Sequence, residues 1–338
     1  MPPSSPPEGA QARPLPAALP RVSFATLGPL LALVALAALG FAINDAFASP
    51  ANLSNLLTRS AFIGIIAVGA TLVITSGGLD LSVGAMSAFT AGLMIIAMNA
   101  LVPSLGPGWL TIACGIGVAL ALGFCAGALN GLVVTRIGIE PFIVTLGTMG
   151  IFRSLVTWLA DGGTLSLDFD VRGVYRPAYY GTVLGIPFPI WVLAAMAVIG
   201  AVLLNLTAFG RRAAAIGSNE LVARYSAIDV ERTKLLAYVF QGLCVAIATI
   251  IYVPRLGSAS AGTGLLWELE AIAAVIIGGT LLKGGYGNVP GTIIGAIILS
   301  MIDNIMNLTD VISTHLNGAV QGLIIIVAVV LQRGRRQG

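Results

Sequence analysis

The sequence predicts an all-α, polytopic membrane protein of about ten transmembrane helices, with broken or re-entrant segments and two related halves. Three observations predict it. Of 338 residues, 57% are hydrophobic and 9% charged, with a mean hydropathy of +0.97. Soluble domains carry about 25% charged residues, so these few charges cannot build a water-facing surface. The apolar residues gather in runs, most of them long enough to cross a bilayer as a helix, which takes about 20 residues. Arginine and lysine concentrate in every second connection.

The elements follow in order. Met1 to Pro20 is rich in proline with almost no bulky apolar residues, so residues 1–24 are expected to be a disordered tail before a single membrane domain at 25–335. The run 27–43 follows Arg13 and Arg21 and reads as an uncleaved first helix, because further spans follow it. Runs at 56–75 and 82–98 flank a glycine-broken stretch at 77–84. The run 110–135 carries Gly123, Gly127 and Gly131 at four-residue spacing, a face that lets a neighbouring helix approach closely. Further runs lie at 141–160, 186–207, 234–253, 269–282, 289–308 and 318–332. The run 269–282 is short for a bilayer and is expected to be tilted, broken or re-entrant. Trp191 and Trp267 read as anchors at the membrane surface. Cys114, Cys125 and Cys244 sit inside apolar runs without CxxC spacing and read as small core residues.

Positive charge sets the orientation, since cytoplasmic loops carry the excess. Ten spans with the N-terminus inside place twelve basic residues on the cytoplasmic side, against four outside: Arg59, Arg172, Arg176 and Arg255. Both termini are then cytoplasmic, 161–185 is the main external loop and 208–233 the main internal one. In that internal loop Leu221, Val222, Tyr225 and Ile228 recur at helical spacing, and Asn219 and Glu220 are placed to open a short helix. Such a helix suits docking to another protein; a membrane-surface helix anchored by arginines is the alternative. Residues 69–89 and 273–297 echo each other as apolar run, glycine pair, polar break and small-residue run, the pattern of duplicated transporter halves.

A charge inside a bilayer costs about 2.5–3.5 kcal/mol at a helix centre, so each needs a reason. Asp80 with Ser82 in SGGLDLSVG reads either as a cap in a half-buried turn or as a solute contact. Arg153 either snorkels or pairs with a carboxylate. Asp303, Asn304 and Asn307 form a polar stripe that either faces a cavity or bonds a neighbouring helix, and Asn130 poses the same choice. Glu268 and Glu270 cap the short span, meet an external partner, or both. No GxxxxGK[ST] loop occurs, and no HExxH, GxSxG or paired carboxylates at helical spacing. The single His315 leaves no histidine cluster for a metal. An intramembrane enzyme has no visible machinery, nucleic acid has nothing to grip, and the thin supply of relay groups favours an external energy source for moving a solute.

Four segments together carry a resemblance: SGGLDLSVG (76–84), IEPFIVTLGTMGIFR (139–153), AIGSNELVARYSAIDVERTK (215–234) and ELEAIAAVIIGGTLLKGGYGNVPGTIIGA (268–296). The chain resembles the permease subunits of bacterial ATP-binding-cassette importers for monosaccharides, of the ribose, xylose and galactose type, over nearly its whole length after the tail. The resemblance implies an inner-membrane core of two permeases, alike or different, with a cytoplasmic ATPase that binds ATP and magnesium and a periplasmic sugar-binding protein. It implies no resident cofactor or metal in this chain, and no catalysis by it. It also implies that residues 217–230 couple to the ATPase, centred on Gly217, Asn219, Glu220, Ala223, Ser226 and Ile228. Relatives commonly read Ser-Gly-Ile where this chain has Ser226–Ala227–Ile228. The scarcity of buried charge agrees with a neutral cargo without identifying the sugar. A stand-alone secondary carrier is the alternative.

Overall fold

The computed structural model describes residues 24–309 and isolated positions between 316 and 326. The expected tail lies outside the described residues except for Phe24, and most of the run 318–332 lies outside them.

The first helix, α1 (Phe24–Ile43), is followed by α2 (Pro50–Thr75), whose start is set by Pro50 in the first turn and by Ser49, which accepts the Asn52 N–H. From Ser60 to Thr75 every residue of α2 is buried. A helix apolar all round must lie inside a bundle, and α2 packs against helices from both halves of the chain. Gly77, at φ 79°, and Gly78 end it, and α3 (Val83–Leu105) begins after the break. Next come α4 (Trp109–Leu132), continued by a π-helical turn at Val133–Ile137, and α5 (Pro141–Leu159). The stretch expected as an external loop is structured. It holds β1 (Thr164–Ser166), α6 (Phe169–Tyr175), α7 (Pro177–Tyr180) and the hairpin of β2 (Thr182–Val183) and β3 (Ile186–Pro187).

The chain then crosses as α8 (Phe188–Leu206), turns through α9 (Ala208–Ser218) and α10 (Glu220–Tyr225), and returns as α11 (Val230–Leu256). At the far end of α11, β4 (Ser258–Ser260) pairs antiparallel with β1. Last come α12 (Trp267–Ile277) and α13 (Val289–Thr309). The run expected at 269–282 stops as a helix at Ile277, because Gly278 and Gly279 follow and the chain winds through Gly284 and Gly285, both at positive φ. The internal loop holds two helices, where one was expected.

Seven described helices are long and apolar enough to cross a membrane: α2, α3, α4 with its π turn, α5, α8, α11 and α13. The described apolar part of α1, Gly28–Ile43, is shorter, and α12 spans only 11 residues. Among the described residues nine of the ten expected runs have a helix, although two of these are short. The two halves share a device, a helix ended by a glycine pair and resumed after a break, in α2–α3 and in α12–α13.

Helix contacts use small residues and hydroxyls. A methyl group on Gly123, Gly127 or Gly131 would collide with α11 at Gly242, Tyr238 or Leu235, so the four-residue glycine face is the α4–α11 seam. Thr71 and Thr292 share a hydrogen bond between α2 and α13 (2.9 Å), and Ser87 and Thr249 share one between α3 and α11 (2.8 Å). Arg136 pairs with Glu231 beside the start of α11, while Arg255 lies at the other end of that 27-residue helix. The basic residues assigned to opposite sides thus separate to opposite ends of the bundle.

Candidate functional site

Three polar constellations stand out, one at each end of the bundle and one in a helix break. In the break between α2 and α3, Asp80 is 5% exposed. Its Oδ1 accepts the Ser82 N–H (2.8 Å) and the Ser82 hydroxyl (2.6 Å), and Asn130 of α4 donates to that hydroxyl (2.9 Å). The Tyr238 hydroxyl of α11 donates to the Leu79 carbonyl (3.1 Å). The turn is half-buried as a whole, with Gly77 exposed and Leu79 and Leu81 intermediate, while Asp80 and Ser82 themselves are buried; Ser82 makes no side-chain cap on α3. Asp80 Oδ2 and Asn130 Oδ1 have no hydrogen-bond partner. The cluster ties α4 and α11 to the break, which a simple helix cap would not do.

At the end carrying the β2–β3 hairpin, a cavity of about 200 Å³ opens among α2, α11, α12 and α13. Arg59, Arg255, Glu270 and Asp303 line it, with Tyr252 and Trp267. Phe62 stacks on Trp267 at 6.4 Å and on Tyr179 at 5.8 Å, and Tyr252 stands edge-on to Trp267 at 4.9 Å. The Arg255 guanidinium lies about 6 Å from the Tyr179 and Tyr252 rings. Trp267 is thus part of an aromatic cluster around a cavity, a role that the expected surface anchor did not include; its sequence neighbourhood gave no sign of rings arriving from α2, α7 and α11.

The polar stripe on α13 divides. Asp303 faces this cavity, Asn304 exchanges two side-chain hydrogen bonds with Asn52 of α2 (2.9 and 2.7 Å), and Asn307 is exposed. Glu268 and Glu270 separate in the same way. Glu270 lines the cavity, whereas Glu268 is half-buried against Gly84, its Oε2 without a hydrogen-bond partner. Arg153 of α5 donates to the carbonyls of Ala261 (2.5 Å) and Thr263 (2.6 Å), which bind its charge by backbone dipoles.

At the opposite end, α10 is built as a compact surface helix. Asn219 caps it by accepting the Val222 N–H (3.1 Å). Glu220 accepts from Lys234 of α11 (2.6 Å) and from Arg224 one turn on (2.8 Å). The hydrogen bond from Lys234, helped by Arg224 and opposed by partial burial, holds the Glu220 carboxyl below the usual range. Ala223 and Ile228 pack with Ile216 and Val230, leaving Leu221 (65% exposed), Val222 and Tyr225 (84% exposed) facing outward.

The helix closes on a Schellman motif: Ala227 N–H donates to the Arg224 carbonyl and Ile228 N–H to the Ala223 carbonyl, both at 3.1 Å. Ala227 occupies the left-handed position at φ 57°.

Gly217, just before α10, meets both helix breaks. A methyl there would run into the Thr75 carbonyl at the end of α2 and lie 2.5 Å from the Gly285 nitrogen in the α12–α13 break. Gly285 N–H donates to that same Thr75 carbonyl (2.9 Å). The spacing of these glycines in the chain gave no hint of the meeting, because they come from three distant segments.

Comparison with known proteins agrees with this architecture. A family described as the branched-chain amino acid transport system permease component matches residues 52–329. The ribose import permease protein RbsC of Bacillus subtilis is 40% identical over 315 residues, covering 91% of this chain and 92% of its own. RbsC of Escherichia coli K12 is 36% identical, covering 91% and 93%, and the xylose transport system permease protein XylH of the same strain is 34% identical, covering 85% and 86%. A solved inward-facing metal-chelate-type ABC transporter superposes with a TM-score of 0.51 at 18% identity, covering 90% of this chain and 98% of its own, a likeness of fold. With a family match over most of its length and relatives above 30% identity along nearly the whole chain, this protein is a membrane permease, a transport component rather than an enzyme, and belongs to the branched-chain amino acid transport system permease family.

Proposed function

We propose that the chain is the transmembrane subunit of an ATP-binding-cassette importer that moves a neutral monosaccharide from periplasm to cytoplasm. The observation that carries this reading is the exposed helix α10, whose preceding Gly217 touches both helix breaks. A surface helix joined backbone to backbone with two broken spans is a lever, useful to a subunit driven from outside. A secondary carrier working alone has no need of one. The substrate class follows the relatives named for ribose and xylose import.

In this reading the chain works with a cassette ATPase, a periplasmic sugar-binding protein and a second permease. It lies in the bacterial inner membrane as the domain 25–335, with the 1–24 tail and both termini cytoplasmic. The apolar triad Leu221, Val222 and Tyr225 enters the ATPase, and Gly217, Asn219, Glu220, Ala223, Ser226 and Ile228 shape and hold the helix. Asp80, Ser82 and Asn130 keep the first break in form, and Glu268 braces α12 against α3. Glu270 and Asp303 belong to the path, and Asn304 fixes α13 to α2. ATP and magnesium bind the ATPase, so this chain needs no cofactor of its own.

The test is affinity capture of the tagged permease from native membranes, with mass spectrometry and an ATPase assay of the eluate. A cassette ATPase is expected to co-purify, and its turnover should rise with one sugar-loaded binding protein. A permease that comes through clean and still moves sugar into liposomes by itself would instead establish the secondary carrier.

A further inference from the structure

The turn from α8 into α9 carries two charges that nothing in the fold compensates. Arg211 and Arg212 are adjacent and exposed near the start of α9, and among the described residues no carboxylate pairs with either. The charges of α10, one helix later, are by contrast matched within the chain, since Glu220 pairs with both Arg224 and Lys234. We propose that Arg211 and Arg212, together with the outer face of α8, bind one anionic phospholipid, its phosphodiester on the two guanidiniums and an acyl chain along α8. The proposal rests on the membrane location of the chain and not on its cargo or its energy source.

Three features carry the assignment. The first is depth. Thr207 alone separates α8 from α9, and a methyl group on Gly210 would run into the Leu203 and Leu204 carbonyls, so the start of α9 is folded tightly onto the last turns of a membrane-length helix. The guanidiniums therefore sit where a span leaves the hydrocarbon, the level of the lipid phosphates. The second is the neighbouring surface. Val198, Val202 and Leu206 recur at every fourth residue of α8 and are exposed, Leu206 by 73%, making an apolar stripe that ends at this turn. The third is the chemistry of the pair. Guanidinium stays charged and binds phosphate oxygens in a two-pronged fashion, and two of them without a carboxylate attract an anion. A choline headgroup brings its own cation to the site and is disfavoured by it. The exposed face of α10, built of Leu221, Val222 and Tyr225, suits a protein contact, whereas the α8–α9 turn offers charge beside a lipid-facing stripe.

The test uses full-length permease in detergent, titrated with phosphatidylglycerol and separately with phosphatidylcholine, with bound lipid counted by native mass spectrometry and the unfolding temperature followed in parallel. Saturable binding of phosphatidylglycerol that raises the unfolding temperature is expected, with no matching effect of phosphatidylcholine. Replacing both arginines, Arg211→Gln with Arg212→Gln, should weaken phosphatidylglycerol binding about tenfold. Arg211→Lys with Arg212→Lys keeps the charge but not the planar fork, so its binding should fall between the two. Arg232→Gln removes an exposed charge from the same end of the bundle and should leave binding unchanged. The lysine pair keeps the proposal testable in a protein that retains its surface charge.

Phosphatidylglycerol binding unchanged in the glutamine pair would overturn the site. An equal loss in Arg232→Gln would overturn it too, by showing a general field at this end of the bundle rather than two particular groups. Displacement of the lipid by millimolar inorganic phosphate would reassign the arginines to a free anion. Lipid binding that persists in the glutamine pair while capture of a cassette ATPase is lost would assign them to the ATPase instead.

Discussion

Ala227 shows how much a single backbone position decides at the coupling helix. At φ 57° an L-residue costs about 1–2 kcal/mol, and a glycine there would lose about 0.5–1 kcal/mol of unfolded-state entropy relative to alanine. The difference predicts that Ala227→Gly raises stability by about 0.5–1 kcal/mol, read as a higher unfolding temperature of the detergent-solubilised protein, while Ala227→Val lowers it. An unchanged midpoint for both would show that the strain is relieved elsewhere. The departure from Ser-Gly-Ile was visible in the sequence; the reason it matters is the Schellman closure, where the residue after the helix must be left-handed. Asp303 and Asn304 make the complementary point. Adjacent in sequence and equally polar, they part because successive helical side chains point about 100° apart, one toward a cavity and the other toward Asn52.

At the scale of elements, two glycine breaks and the end of α9 form one joint. Only glycines let three backbones approach so closely, so the joint transmits displacement without side chains to absorb it. Gly217→Ala is expected to leave ATPase association intact, because α10 keeps its cap and exposed face, yet to lower sugar uptake tenfold or more while ATPase activity continues. Parallel uptake and phosphate-release assays on reconstituted complex measure this; uptake that falls only in step with ATPase activity would refute transmission through Gly217. The helix break pattern itself was legible as the echo between 69–89 and 273–297. That the breaks touch was not, since sequence periodicity reports local geometry and carries no information on which segments meet.

For the whole molecule, the basic residues separate by bundle end, with Arg59, Arg172, Arg176 and Arg255 around the cavity and hairpin, and Arg136, Arg224 and Lys234 around the α9–α10 end. The positive-inside rule predicts that the α9–α10 end faces the cytoplasm. In a background lacking Cys114, Cys125 and Cys244, Ser226→Cys should then react with an impermeant maleimide only in inside-out vesicles, and Leu184→Cys, at the 88% exposed hairpin turn, only in intact spheroplasts. The reverse pattern would invert the topology and remove α10 from the ATPase.

What the sequence determined by itself is the solvent and the scaffold. Apolar runs of bilayer length, few charges and paired glycines dictate broken membrane helices, because unpaired backbone and charge are too costly in hydrocarbon to leave any other arrangement. Helical spacing and Asn219 likewise disclosed α10 before any coordinate did. Tertiary structure alone decided which polar groups act together. It tied Asn130 to the Asp80–Ser82 turn, set Trp267 in the wall of a cavity, split Glu268 from Glu270, and brought Gly217 to both breaks. Each of these depends on groups from segments far apart in the chain, and long-range proximity is fixed by how the helices pack rather than by any residue's neighbours in sequence.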